Sequence, residues 1–368
     1  MAYNTRNTCL KCSLLAVILL FFQPGFSQYN FSKLDQLLEE KQKLLGKDFV
    51  LMLWAANTPS VKKDDTLIYK KEVGEFKSKT IVPVASCSKW LTAALVMQFV
   101  DEGKISLDDK IIKWLPEFEK YRKSYITIRH CLSHLTGIED EDRLLKKLFQ
   151  RKKFSSLEEE VNSFAAKEIR ANTGTDFWYG NIGLNIAARV LEVVSKRRFD
   201  QLIRQKLFVP LGMRNSTFST LDGSLVNPSG GAKSTADDYM KFLVMLLNKG
   251  MYNGKQILSE ASVNEMMKAQ TTPEMIRYAP KSAEGFNYAL GSWVIEESPL
   301  PELRSQPSQG SVATTLASPG LFGTWPMVDF CRGYAYILFV KNLLGEERAD
   351  FHLEIKKVID EQMKKDCK

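Results

Sequence analysis

From Ser86 to Val100 the chain runs Ser-Cys-Ser-Lys-Trp-Leu-Thr-Ala-Ala-Leu-Val-Met-Gln-Phe-Val. Apolar side chains fall on nearly every face of a helix drawn through it, which predicts a buried helix rather than a surface one. Gly103 is placed to end it. Phe31 to Leu45 has a different pattern. Leu34, Leu37, Leu38 and Leu45 fall roughly on one face and predict an amphipathic helix. Phe49 to Trp54 and Thr66 to Tyr69 predict two strands, joined through the polar stretch Asn57 to Asp65 as an antiparallel hairpin. Helical patterns dominate from about Leu107 to Leu247. Leu184 to Val194 and Ala236 to Leu247 are the best marked, the latter opened by Ser234 or Thr235 as a cap. Strand-like runs return at Tyr288 to Ile295, Gly323 to Val328 and Tyr334 to Val340. A charged amphipathic helix, Glu347 to Lys364, closes the chain, and Ser298 to Ser311, rich in Pro and Ser, predicts a loop.

The order is strands, then helices, then strands. It predicts an α/β fold of the α+β kind, an antiparallel sheet flanked by helices with an all-α subdomain inserted. The sheet part takes about 29–105 and 240–368, and the helical part about 106–239.

The first residues follow another logic. Arg6 and Lys11 precede the apolar run Leu14 to Phe22, and Gln23 to Ser27 follow. A positive flank, a short apolar centre and a small-residue end predict a secretory leader over 1–27, cleaved near Ser27. The run is too short for a comfortable membrane span, so no stable span is expected after cleavage, and the mature protein is periplasmic or secreted. An uncleaved anchor is the alternative.

Composition changes this picture little. With 368 residues, 44% hydrophobic and 26% charged, the chain can bury a sizeable core without staples. Two of the eight net positive charges, Arg6 and Lys11, sit in the leader. The basic runs Lys146-Lys147, Arg151-Lys152-Lys153 and Lys196-Arg197-Arg198 are short and read as solvated helix ends or loops, not as a nucleic-acid surface. Past the leader, Cys87, Cys131, Cys331 and Cys367 remain. An even number in an exported chain permits disulfides. Their spacing shows no framework and no metal pattern, and Cys87 and Cys131 are expected as buried free thiols.

Chemistry concentrates at Ser86 and Lys89. A hydroxyl at neutral pH needs a base to act as a nucleophile. Three residues apart on a helix, the two side chains point the same way. Ser86 would also lie at a helix N-terminus, which favours developing negative charge. Burial of Lys89 favours its neutral amine, which can take a proton from serine. Ser-x-x-Lys alone is weak evidence. A second copy, Ser60 to Lys63, lies in a polar stretch with no buried helix after it and is read as chance.

Further stretches accompany the first: Ala85-Ser86-Cys87-Ser88-Lys89, Asp101 to Asp109, Ile126 to Gly137, Tyr179-Gly180-Asn181 and Pro210-Leu211-Gly212-Met213. In order and spacing they resemble the β-lactamase-related serine hydrolases, which include class C β-lactamases, D-alanyl-D-alanine carboxypeptidases, D-aminopeptidases and carboxylesterases. The resemblance covers about Phe49 to Val340 and implies the β-lactamase/transpeptidase-like fold. It implies Tyr179 as the proton relay between Ser86 and the leaving group, and Asn181 as a partner of Lys89 and the substrate. A phenolate or a neutral phenol beside an ammonium can serve, since the positive neighbour lowers a tyrosine pKa.

The third motif departs from the family. No Lys-Thr-Gly, Lys-Ser-Gly or His-x-Gly occurs, and the best match is Ser318-Pro319-Gly320, running into Leu321. A glycine there lets substrate lie close to a strand. The amides of Leu321 and Ser86 would form the oxyanion hole. The missing cation argues against a β-lactam or a peptide end and favours a substrate without a free carboxylate.

Rival chemistries fit less well. Only His130, His134 and His352 could serve a Ser-His-Asp triad, and no Gly-x-Ser-x-Gly elbow occurs. His130 and His134 have the spacing of a metal pair without the glutamate of His-Glu-x-x-His, and read as hydrogen-bonded histidines at a helix start. Gly230-Gly231 reads as a turn. No metal or organic cofactor is implied. The expectation is an exported serine hydrolase acting on an ester or amide of a small-molecule or peptide substrate through an acyl-enzyme. A penicillin-recognising module without turnover, or a true β-lactamase or carboxypeptidase, is the alternative.

Overall fold

The computed structural model describes residues 1, 29–55, 66–139, 154–220, 225–297, 311–340, 342, 347–363 and 367. The leader beyond Met1, the second Ser-x-x-Lys at 60–63, the basic runs at 146–153 and all of the 298–311 loop but Ser311 lie outside them. Both ends of the chain build one antiparallel sheet. Its strands are β1 (Phe49–Ala55), β2 (Thr66–Val73), β3 (Asn287–Tyr288), β4 (Trp293–Glu297), β5 (Ala313–Ala317), β6 (Trp325–Asp329) and β7 (Tyr334–Val340). The order is β2-β1-β7-β6-β5-β4-β3. β1 pairs with β7 from Phe49↔Val340 to Ala55↔Tyr334.

Successive side chains of a strand point to opposite faces. Phe49, Leu51 and Leu53 with Tyr336, Leu338 and Val340 face helices α1 (Ser32–Glu40) and α6 (Asp350–Met363). Val50 and Met52 with Ala335, Ile337 and Phe339 face helices α2 (Ser88–Asp101) and α5 (Ala236–Leu247). With both faces covered, these strands carry the near-continuous apolar runs seen in the sequence. Every residue of α2 from Ser88 to Phe99 is buried, Lys89 included. Helices α3 (Leu157–Ala165) and α4 (Ile182–Ser195) belong to the inserted helical part. Lys196 to Arg198 close α4 at the surface, with Arg198 paired to Asp200. Among the described residues no helix is long and apolar enough to cross a membrane.

Several expectations need correction. The helix expected over 31–45 breaks at Lys41, and a short helix, Gln42–Leu45, follows. The run Tyr288 to Ile295 is two strands, because Gly291 takes φ 80° and the chain turns there. A Cβ on Gly291 would stand 2.5 Å from the Ala93 Cβ, so the turn is fitted against α2. β5 was absent from the sequence reading. The expected boundary at 239/240 cuts α5, which packs on the sheet. Two short strands of the helical part pair with segments outside it, Lys233–Ser234 with Val82–Pro83 and Phe177–Trp178, in parallel, with Ile276–Tyr278.

Cys331 and Cys367 form a disulfide that ties the chain end to the β6–β7 turn, while Cys87 and Cys131 are buried free thiols. Beside that turn lies a buried charge network. Lys356 donates to Asp329 at 3.1 Å and to Asp360 at 2.7 Å, and Arg332 reaches Asp329 at 2.9 Å.

His352 of α6 is buried and stacks on Trp325, ring centroids 3.8 Å apart. Burial pushes its imidazole down to about 3. In the unfolded chain the ring protonates near pH 6.5. Its contribution to stability is therefore complete above pH 6.5 and is lost as the pH falls toward 3. Between pH 6.5 and 5 the loss is about 2 kcal/mol. In His352→Phe the urea midpoint is expected to fall less steeply over that interval. An unchanged slope would assign the acid sensitivity to other groups.

Candidate active site

The turn carrying Ser86 is held from three directions. Val82–Pro83 is pinned by its pairing with Lys233–Ser234, and the Val84 amide donates to the Ala232 carbonyl at 2.9 Å. The Tyr239 hydroxyl, from α5, donates to the Cys87 carbonyl at 2.8 Å. The Ala232 amide donates to Ser88 Oγ at 3.0 Å. Ala85 takes φ 46°, a left-handed conformation that costs a non-glycine residue roughly 1–2 kcal/mol. The expected helix over 86–100 thus opens as a 3-10 turn, Ala85–Cys87, before α2. Ser86 is displayed at the head of that turn, yet only 7% of its surface is exposed.

The three-residue spacing brings Ser86 and Lys89 together. Lys89 Nζ donates to Ser86 Oγ at 3.3 Å, to Asn181 Oδ1 at 3.2 Å and to the Ser229 carbonyl at 2.9 Å. Lys89 Nζ also lies over the face of the Tyr179 ring, 4.8 Å from its centroid. The phenol of Tyr179 lies near enough to Ser86 for that hydroxyl to favour its ionised form. Burial pushes this phenol well above the usual tyrosine range, and Ser86 opposes that only in part. Lys89, expected to lower it, touches the ring face, and desolvation prevails. Of the two protonation states left open by the sequence, the neutral phenol is therefore the one at neutral pH.

Tyr179 owes its position to a cage of rings. Trp293 lies 5.2 Å and His134 4.8 Å from it, centroid to centroid. Its amide donates to the Tyr278 carbonyl at 3.2 Å. Asn181 is the N-cap residue of α4, so the start of that helix presents its amide to Lys89. His134 Nε2 stands 3.2 Å from the Tyr288 hydroxyl. His130 Nδ1 accepts from the Thr127 amide in a capping box. Both histidines are thus engaged structurally. Among the described residues no group of three His, Cys, Asp or Glu side chains is placed to share a metal ion.

The Ser318–Gly320 stretch follows β5 and lies against the Ser86 turn. A Cβ on Gly320 would be 2.4 Å from the Val84 carbonyl oxygen and 3.0 Å from Cys87 Sγ. This glycine thus makes room for the turn that carries Ser86, where the sequence had suggested room for substrate. Among the described residues the amides of Ser86 and Leu321 make no hydrogen bond. Ser318 is buried, and its hydroxyl turns to the Gly291 carbonyl at 3.4 Å. Two participants escaped the sequence reading, Ser229 and Tyr239. Ser229 offers its own backbone carbonyl, and the Tyr239 hydroxyl binds that of Cys87, contacts that no side-chain motif records. Gly230-Gly231 was the only hint of the loop that carries Ser229.

Chemically, a hydroxyl bonded to an amine and close to a neutral phenol can lose its proton to one and have it returned through the other.

A family model described as Beta-lactamase matches residues 60–358. Protein Rv1367c of Mycobacterium tuberculosis is 25% identical over 303 residues, spanning 68% of this chain and 74% of that protein. Among solved structures, a Bacteroides dorei DSM 17855 protein designated a candidate beta-lactamase superposes with TM-score 0.73 at 24% identity, over 91% of this chain and 99% of that one. EstCE1, described as a hydrolase with promiscuous acyltransferase activity, does so with TM-score 0.67 at 19% identity, over 89% and 100%. Likeness at these identities establishes the β-lactamase/transpeptidase-like fold.

Proposed function

Because the chain belongs to the Beta-lactamase family, we propose that it is a serine hydrolase forming an acyl-enzyme on Ser86. One observation carries this reading: the hydroxyl of Ser86, the amine of Lys89, the phenol of Tyr179 and the carboxamide of Asn181 meet in one buried place. Ser86 Oγ attacks the carbonyl carbon of an ester or amide while its proton passes to Lys89. The carbonyl electrons collect on an oxygen facing the amides of Ser86 and Leu321. The proton returns through Tyr179 to the departing alkoxide or amine as the acyl–leaving-group bond breaks. Water then attacks the acyl-enzyme by the same path in reverse and releases the acid. Ser318 in place of a cation, its hydroxyl turned to Gly291, supports a substrate without a free carboxylate.

The reading includes export. The apolar run 14–22 behind Arg6 and Lys11 supports it, and so does the Cys331–Cys367 disulfide, a bond that persists in oxidising compartments. N-terminal sequencing of the protein recovered from its host is expected to begin near residue 28, and a start at Met1 would count against it.

The catalytic reading is tested with a fluorophosphonate probe and mass analysis. A single adduct is expected on the peptide holding Ser86, with none in Ser86→Ala. Short-chain esters are expected to be cleaved far faster than a chromogenic β-lactam. A wild-type protein that takes up no label and cleaves no ester would overturn the proposal.

A further inference from the structure

Lys89 donates to a backbone carbonyl, that of Ser229, at 2.9 Å, closer than it comes to Ser86 or Asn181. The position of this carbonyl is itself determined. The Ser229 amide donates to Asn185 Oδ1 at 3.2 Å, and Asn185 Nδ2 donates to Glu160 Oε2 at 3.0 Å. Ser229 and Asn185 are fully buried, and Glu160 is 4% exposed. A carboxylate only accepts, so Glu160 fixes which end of the Asn185 amide it meets. The oxygen end is thereby turned to Ser229. Asn185 lies one turn after Asn181 on α4, so a single helix reaches the amine twice, once directly and once through the loop. Asn227 Oδ1 also accepts from the Ser229 amide, at 3.3 Å. It belongs to the same loop, shapes it, and cannot tie it to α4. Thr92, on α2 just beyond Lys89, donates to the Pro228 carbonyl at 2.6 Å and fastens the loop from the other side.

We infer that Asn185, oriented by Glu160, is a positioning residue for Lys89, placing the Ser229 carbonyl where it directs the amine at Ser86. The inference rests on the proposed role of Ser86 and Lys89. Buried polar groups are ordinarily satisfied, but this pair goes further: it gives the amine a second fixed acceptor that keeps Nζ within reach of both Ser86 and Asn181. A displacement of about 1 Å at a reacting group can cost on the order of 10²-fold in rate.

The test follows the rate of Ser86 labelling by the fluorophosphonate, separated into its maximal rate and its half-saturating concentration, well below each variant's melting temperature. Asn185→Asp keeps the shape but sets a second carboxylate against Glu160. It is expected to slow the maximal rate about 10- to 100-fold with half-saturation nearly unchanged. Adding Glu160→Gln supplies a donor to the new carboxylate and leaves an oxygen for Ser229. The double variant is expected to return to within about threefold of wild type. Asn185→Leu, lacking both bonds, is expected to be as slow as Asn185→Asp; should it not melt cooperatively, the two isosteric variants decide alone. A single variant as fast as wild type, or a double variant no faster than the single, would overturn the inference while leaving the hydrolase reading intact. Absence of any labelling of the wild type would overturn both.

Discussion

Lys89→Met is expected to lower kcat about 10³- to 10⁴-fold while changing KM by less than about threefold. Loss of a general base typically costs 10²–10⁴-fold. The upper part of that range applies because the same nitrogen holds Ser86, Asn181 and Ser229 in register. Methionine fills nearly the same volume in a helix that is buried all round. It leaves the Asn181 oxygen and the Ser229 carbonyl without that donor, at roughly 1–3 kcal/mol each. The variant should therefore fold, and the rate loss can be read as chemistry. Single-turnover kinetics with an activated ester would check it. A loss under about tenfold in a folded variant would remove Lys89 from the mechanism.

The largest stability effect is expected at Asp329. Its carboxylate is fully buried and accepts from the Arg332 amide at 2.7 Å, the Arg332 guanidinium and the Lys356 ammonium. Burial alone would pull Lys356 down, but Asp329 and Asp360 outweigh it and hold the ammonium above the ordinary lysine range. Asp329→Ala leaves that charge less compensated in a place 3% exposed. Breaking such a pair costs about 3–5 kcal/mol. The melting temperature is expected to fall on the order of 10 °C. Asp329→Ala/Lys356→Met, which removes both partners, should recover part of it. A double variant less stable than the single one would refute this account.

The sequence was most legible where a physical constraint acts along the chain. The apolar run after Ser86 announced α2, and the spacing from Ser86 to Lys89 survived the 3-10 turn because both helix types keep residues three apart on neighbouring sides. Burial on both faces, which makes the runs apolar throughout, made β1 and β7 plain. Legibility failed where the cause lay in a distant segment. Gly291 reads as one glycine in an apolar run, and only the approach of Ala93 explains the turn there. β5, Ala-Thr-Thr-Leu-Ala, is small and polar for a central strand, since its neighbours supply the bulk. Ser229 and Asn185 carried no signal, because a backbone acceptor and the amide that steers it form no spacing rule. The neutral state of Tyr179 depended on a cage of rings assembled from three separate stretches.

The pairing of β1 with β7 has a consequence for biosynthesis. The partner of β1 lies far later in the sequence, so a nascent chain emerges with that edge unmatched until β7 has been made. Closing so long a loop is slow, and an early stop codon would release a product with a bare, apolar edge prone to self-association.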